Sequence, residues 1–507
     1  MTTRPGRPLT TTALGVVAGV ALAGLAAVPA SAVPAGAVPA ARPTAKTPAA
    51  LQWTDCEVKP KEDPALVAGS KCATLQLPVD WNRPDGPTFG LAIARRTAQD
   101  PAARVGTLFF GPGGPGDSGV DRIRTGMDRF SDTIQDRFDI VSFDPRGIAR
   151  SNPIVCSAPL LVKQPSPLIT SRAQFAETIR YNRELAKDCR AHTGPLYDHV
   201  DTLQTVRDVD AIRAALGESK LTFHGSSYGT LLGQQYAERY PHRLRALVLE
   251  SVFDHGDTTT GDWLDKQAAT VQDSFTEFVK WCNETTTCSL HGRDIQALWA
   301  DLVARAGRGE LPDPRQPKLT ATPFTLTFGA FRMLYGPRWP DLADMLKQLE
   351  VSEPPTAEPP VPTGLAQNPL VPFCRDFSLP VRTYDEYAAH LRRIARNTPD
   401  VKIPPTLIAV TNCLGLPKAP NPQQDVRVHL KTPALLLNSL HDPATGYSSA
   451  QSVARQLGRH GVLVTYEGWG HGSYDASPCT LQTVDDYLVA LKVPARGTTC
   501  AAVPPTD

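Results

Sequence analysis

Ser227 stands at the centre of Gly225-Ser226-Ser227-Tyr228-Gly229, a G-x-S-x-G. A strand-like run, Lys220-Leu221-Thr222-Phe223-His224, precedes it, and a helix-like stretch from Thr230 to Arg239 follows. Glycines between a strand and a helix permit a turn sharp enough to lift the central serine oxygen above a sheet edge. The helix N-terminus behind that serine favours developing negative charge. A hydroxyl placed this way performs acyl transfer when a base takes its proton and a carboxylate orients the base. With this turn the chain order is Ser, then Asp or Glu, then His. Asp442 follows the strand-like run Leu435–Asn438, and His471 follows Val462–Tyr466 in Gly468-Trp469-Gly470-His471-Gly472. One helix and one strand between the two bring both side chains to the edge that carries Ser227. Ser226 is the competing serine, and His224 and His441 are the nearest rival bases.

The tetrahedral intermediate of such a reaction needs N–H donors. Tyr228, the residue after the nucleophile, is expected to give one, and a Gly-rich loop after an earlier strand the other. Gly111-Pro112-Gly113-Gly114-Pro115-Gly116 follows Leu108–Phe110 as required. Pro115 has no N–H, so Gly113 and Gly114 are the candidates. The chain has no G-K-[ST] and no G-x-G-x-x-G opening a helix, which argues against phosphate or dinucleotide binding. No C-x-x-C pair is present, so a metal site is not indicated, and the chemistry calls for no cofactor.

These residues need a sheet to hold them. Strand-like runs at Phe89–Ala94, Gly106–Phe110, Asp139–Phe143, Lys220–His224 and Arg245–Leu249 alternate with helical stretches. The alternation predicts an α/β fold with a mostly parallel sheet flanked by helices. It stops after Asp254. Residues 255–425 read as amphipathic helices (Gln272 to Trp281, Ile295 to Ala306, Tyr384 to Ala395) and a Pro-rich run, and the α/β pattern returns at Pro433. The expected organisation is a core at 50–254, a helical cap insertion at 255–425, and the rest of the core, with Asp442 and His471, at 426–507.

The chain has 507 residues, of which 41% are hydrophobic, enough to bury a large core. Lys and Arg number 52 against 51 Asp and Glu, a balance that gives no electrostatic case for nucleic acid or an anionic membrane. Residues 1–32 read as a signal peptide: Arg4 and Arg7, an apolar stretch from Ala13 to Val28, and the small-residue site Ala30-Ser31-Ala32. Residues 33–49, rich in Ala and Pro, read as a flexible leader or pro-segment. The first cysteine is Cys56, so no lipid-modified cysteine and no membrane anchor are expected, and the protein should be secreted and extracellular. Ten cysteines then fall in an oxidising compartment. Pairing neighbours in order is the simplest arrangement, with Cys282–Cys288 and Cys479–Cys500 closing short loops.

Five segments together (PGGPG at 112–116, DPRGIARS at 144–151, GSSYGT at 225–230, HDPAT at 441–445 and GWGHG at 468–472) resemble the secreted bacterial tripeptidyl aminopeptidases, relatives of the prolyl aminopeptidases within the α/β-hydrolase fold. The resemblance runs from about Trp53 to Cys500. It implies exopeptidase action on peptides with a free N-terminus, beneath a helical cap. It also implies Ser227 as nucleophile, Asp442 as orienting acid and His471 as base. The chain departs from the family at Gly111, Ala149, Glu250-Ser251 and Gly446. An aminopeptidase needs buried acidic groups for the substrate ammonium; the candidates around the cap are Glu250, Asp254, Asp257, Glu277, Glu284 and Asp376, with Glu250 and Asp376 singled out. The alternative is an esterase or other acyl hydrolase, since the same groups serve any acyl transfer.

Overall fold

The computed structural model describes residues 51–357 and 359–505; the expected signal segment and leader lie outside the described residues. In chain order the strands are β1 (Thr54–Asp55), β2 (Lys71–Pro78), β3 (Thr88–Arg96), β4 (Gly106–Gly111), β5 (Phe138–Phe143), β6 (Val155–Ser157), β7 (Leu221–Ser226), β8 (Leu244–Glu250), β9 (Leu365–Gln367), β10 (Ala434–His441), β11 (Gly461–Trp469) and β12 (Thr499–Cys500). Ten of them form one sheet in the order β1-β2-β3-β5-β4-β7-β8-β10-β11-β12. Pairing is antiparallel from β1 through β3 to β5 and parallel from β5 to β12. Strands β2 to β11, leaving aside the short β6 and β9, have the strand order and single reversed strand of the α/β-hydrolase fold.

The inner strands are apolar along their whole length because both faces are covered. Neighbouring residues of β4 go to opposite sides, Phe109 packing with Phe143 and Phe223, Leu108 and Phe110 with Ile140 and Val248. Helices Thr202–Ala215, Tyr228–Arg239 and Tyr447–Leu457 supply the first side; Gly119–Thr125, Asp132–Arg137 and Pro478–Ala490 supply the second.

Between β8 and β10 the chain is mostly helical, led by Thr260–Glu284, Ile295–Gly307, Pro323–Leu334 and Trp339–Glu350, which share an apolar cluster of their own. A second excursion meets this block from below. Its strand β6 pairs with β9, and its long helix Arg172–Thr193 places Asn182 Nδ2 on the carbonyls of Thr411 (2.8 Å) and Leu414 (2.9 Å). The sequence pattern assigned that excursion to the core segment; here Ile169 and Phe175 are buried among helices of the block.

Five disulfides join neighbours in order: Cys56–Cys72, Cys156–Cys189, Cys282–Cys288, Cys374–Cys413 and Cys479–Cys500. Among the described residues no cysteine is free, and no helix is long and apolar enough to cross a membrane.

Candidate active site

Ser227 follows β7 and precedes helix Tyr228–Arg239, with φ 56° and ψ −124°. A non-glycine residue at positive φ is strained and needs surrounding structure to hold it. Three hydrogen bonds do so. Ser227 N–H donates to Glu250 O (2.9 Å), and Ser227 O accepts from Thr230 N–H (2.8 Å) and Thr230 Oγ1 (2.7 Å). The motif glycines are demanded by space: a Cβ on Gly225 would lie 2.4 Å from Gly229 O, and one on Gly229 2.2 Å from Gly111 O. The turn can therefore press against the Gly-rich loop. A Cβ on Gly113 would lie 3.0 Å from Ser227 Cβ, and Gly114 borders the same cavity as Ser227. Of the expected N–H donors, Gly113 and Gly114 thus lie on the loop against the serine, and Tyr228 follows it in the chain.

Asp442 and His471 leave the ends of β10 and β11, which run parallel side by side. His471 Nδ1 lies 3.0 Å from Asp442 Oδ1 and 3.1 Å from Oδ2. The Asp442 carboxylate is 1% exposed and fully engaged. Its Oδ1 accepts from Ala444 N–H (2.8 Å) and Thr445 N–H (2.9 Å), its Oδ2 from Thr445 Oγ1 (3.0 Å). The residue is also fixed from above: the backbone N–H of His471 donates to Tyr335 O at 2.6 Å, and the imidazole meets the Tyr335 ring edge-on at 4.7 Å. Burial pushes the Tyr335 phenol up to about 12, so it stays protonated beside the imidazole. Among the described residues no hydrogen bond joins Ser227 Oγ to His471; such bonds commonly tighten only when substrate is bound.

The segment 404–500, which holds Asp442 and His471, matches the family model described as TAP-like protein. Along most of its length the chain is similar to serine protease Hip1 of Mycobacterium tuberculosis, 28% identical over 487 residues covering 89% of this chain and 91% of the relative. It is similar in the same way to tripeptidyl aminopeptidase of Streptomyces lividans, 28% identical and covering 89% and 87%. It is also similar to carboxylesterase B of M. tuberculosis, 29% identical and covering 87% and 88%. The chain is an enzyme of the α/β-hydrolase fold whose segment 404–500 is TAP-like.

The rival bases of this hydrolase have other partners. His224 Nε2 is 2.9 Å from Glu250 Oε2, deep in the core, and His441 Nδ1 is 2.9 Å from Asp273. The expectation that Glu250 and Asp376 hold a substrate ammonium needs correction. Both are 0% exposed, and neither borders the cavity beside Ser227. Glu250 is enclosed by Arg129, His224 and the N–H groups of Ser473 and Tyr474. Burial alone would raise its carboxyl; the Arg129 charge and the His224 bond outweigh this and hold it below the usual range. Asp376 accepts from Thr202 N–H (2.8 Å), Thr202 Oγ1 (2.7 Å), Tyr228 Oη (2.6 Å) and Asn421 Nδ2 (2.7 Å). Burial still holds its carboxyl above the usual range. It therefore anchors the side chain of Tyr228 rather than a ligand.

The hydrolase instead presents a cavity of about 290 Å³ against Ser227. Phe253, Trp263, Phe328, Phe331, Phe373 and Ile408 line it, and among the described residues Arg332, stacked 4.2 Å from the Tyr335 ring, is the one charged side chain in its wall. The exposed Asp117 stands beside the Gly-rich loop, its Oδ2 3.4 Å from where a Cβ on Gly113 would stand. Sequence reasoning passed over Thr445, Tyr335, Arg332 and Asp117. Thr445 and Asp117 lie within or beside the motif segments and could have been read from them; Tyr335 and Arg332 are set in a helical block that carries no catalytic motif.

Proposed function

We propose that the chain is a secreted serine exopeptidase that removes short units from the free N-terminus of peptides. Ser227 Oγ attacks the scissile carbonyl as His471 takes its proton. Asp442 holds the imidazole in orientation and stabilises the imidazolium that forms. The N–H of Tyr228, with that of Gly113 or Gly114, receives the oxyanion. His471 then protonates the leaving amine, and water enters to release the acyl group from Ser227. The observation that carries this reading is the Asp442–His471 pair at the edge where the positive-φ Ser227 stands, opening onto a roofed cavity. Residues 255–425, with the excursion around Arg172–Thr193, form the roof that admits chain ends. Five disulfides suit an extracellular setting.

One observation favours a second reading, an esterase or other acyl hydrolase: the cavity wall is mostly apolar and, among the described residues, includes no carboxylate for an ammonium. With Glu250 and Asp376 consumed internally, Asp117, at the loop beside the serine, is a candidate for the ammonium. Tripeptide anilides with a free or an acetylated N-terminus, assayed beside neutral short-chain esters, separate the two. The peptidase reading expects the free peptides to be preferred by about 10²-fold in kcat/KM, the scale of a lost charge-assisted contact. Equal rates for blocked peptides, or faster turnover of neutral esters, favour the second.

A further inference from the structure

Glu250 touches two parts of the site that are remote in sequence. Its backbone carbonyl accepts the Ser227 N–H at 2.9 Å. Its side-chain Oε1 accepts the N–H groups of Ser473 (2.8 Å) and Tyr474 (2.9 Å), just beyond His471. The next residue, Ser251, accepts the Gly472 N–H at 2.8 Å through its Oγ, and stands at φ 53°, a conformation seldom held by a residue with a side chain. Glu250 and Ser251 together bind three successive N–H groups after the imidazole and the N–H of the serine. The other carboxylate oxygen is held by Arg129 and by His224 Nε2 at 2.9 Å, and Arg129 lies over the Phe110 ring at 5.2 Å. A buried anion persists only when its charge is balanced and its lone pairs are filled, and here both conditions are met.

We infer that Glu250 is a positioning residue for the hydrolytic reaction, setting the His471 loop in register with the Ser227 turn; this rests on the triad reading above. His471 is tied to the roof by its own N–H on Tyr335 O, and to the sheet by the three N–H groups that follow it. Without the lower tie the loop that carries the imidazole is held only by Tyr335 O and by the Asp442 carboxylate. A charged acceptor holds a pair of N–H donors more firmly than a neutral one. A displacement of about 1 Å between base and nucleophile is enough to cost about 10²-fold in rate while leaving ground-state binding intact. The role also accounts for a buried carboxylate that no substrate can reach.

The test compares Glu250→Gln, Glu250→Ala and Ser251→Ala in the full secreted chain. It measures kcat and KM on one chromogenic peptide, the rate of Ser227 modification by p-nitrophenyl diethyl phosphate, and the thermal midpoint. The expected result is a fall in kcat of about 10- to 100-fold for Glu250→Ala and a smaller one for Glu250→Gln, which keeps an acceptor oxygen, with KM within about threefold. Ser251→Ala leaves the Arg129–Glu250–His224 cluster intact, so it reports even if both Glu250 variants fail to fold; its kcat should fall by about 3- to 10-fold. Serine modification should slow in the same ratios, since that reagent needs the base but not the peptide pocket. Unchanged kcat and unchanged modification rate in folded variants, even with a lowered midpoint, overturn the inference and leave Glu250 a stabilising residue. A raised KM at unchanged kcat overturns it in favour of substrate contact. Modification at a residue other than Ser227 rejects the triad reading and this inference with it.

Discussion

Beneath Ser227 and above it the molecule handles charge differently. On the sheet side Asp442 and Glu250 are buried, and each has its oxygens filled by named donors. On the roof side the cavity wall is mostly aromatic and aliphatic, with Arg332 its one charged side chain among the described residues. The buried polar network below can fix atoms to a fraction of an ångström because breaking any bond leaves a desolvated group unpaired. The apolar wall above sets no such register, but excludes water and rewards apolar surface. The expected consequence is a separation of effects: changes below act on kcat, changes above on KM.

The strongest break of that comparison lies at the nucleophile. Ser227→Ala should lower kcat by about 10⁴-fold or more with the fold intact, read by assay together with a thermal midpoint. Asp442→Asn comes next. Its amide would face the Thr445 N–H or the imidazole with the wrong group, and kcat should fall by about 10²- to 10⁴-fold with KM little changed.

The disulfides sharpen the contrast. Cys479–Cys500 lies at the sheet edge, whereas Cys374 borders the cavity and pairs with Cys413. Replacing either pair by serines should cost about 2–4 kcal/mol, measured by denaturant unfolding. Only the Cys374/Cys413 change should also raise KM. A smaller effect is expected from Phe328→Ala, which removes a half-buried ring from the wall: KM for peptides with apolar N-terminal residues should rise by about 3- to 10-fold with kcat nearly constant.

The smallest expected effect concerns acid stability. Glu250 is held below its ordinary range when folded. The folded state therefore binds this proton less readily than the unfolded one. The contribution is complete above the ordinary carboxylate range and is lost as pH falls through that range toward the lowered folded value. The difference in thermal midpoint between the wild type and Glu250→Gln should narrow from pH 7 to pH 4. A constant difference would show that the charge of Glu250 adds nothing to stability.

Much of the lower half was legible in the chain itself. G-x-S-x-G between a strand and a helix, Asp442 and His471 each after a strand, and the Gly-rich loop all declare themselves through local spacing. The cysteines were legible too, because each closes a loop with its sequence neighbour. The roles of Glu250 and Asp376 were not. An acidic residue near a predicted entrance says nothing of whether its lone pairs are already filled. The groups that fill them come from distant segments: Arg129, His224 and Ser473 for Glu250, Thr202, Tyr228 and Asn421 for Asp376. The roof was hidden for a related reason. Its helices show amphipathic periodicity, which identifies a buried face but not the surface it is buried against, so the packing of helix Arg172–Thr193 under the block had no sequence signal.

The direct test is to trap the acyl-enzyme. Wild-type protein mixed with a tripeptide p-nitrophenyl ester, quenched in acid within the first turnovers and digested, should carry the tripeptidyl mass on the peptide containing Ser227. The adduct should be absent from Ser227→Ala and greatly slowed in His471→Ala. An adduct on Ser226 or elsewhere, or a Ser227→Ala protein that still turns over the ester at the wild-type rate, would contradict the account.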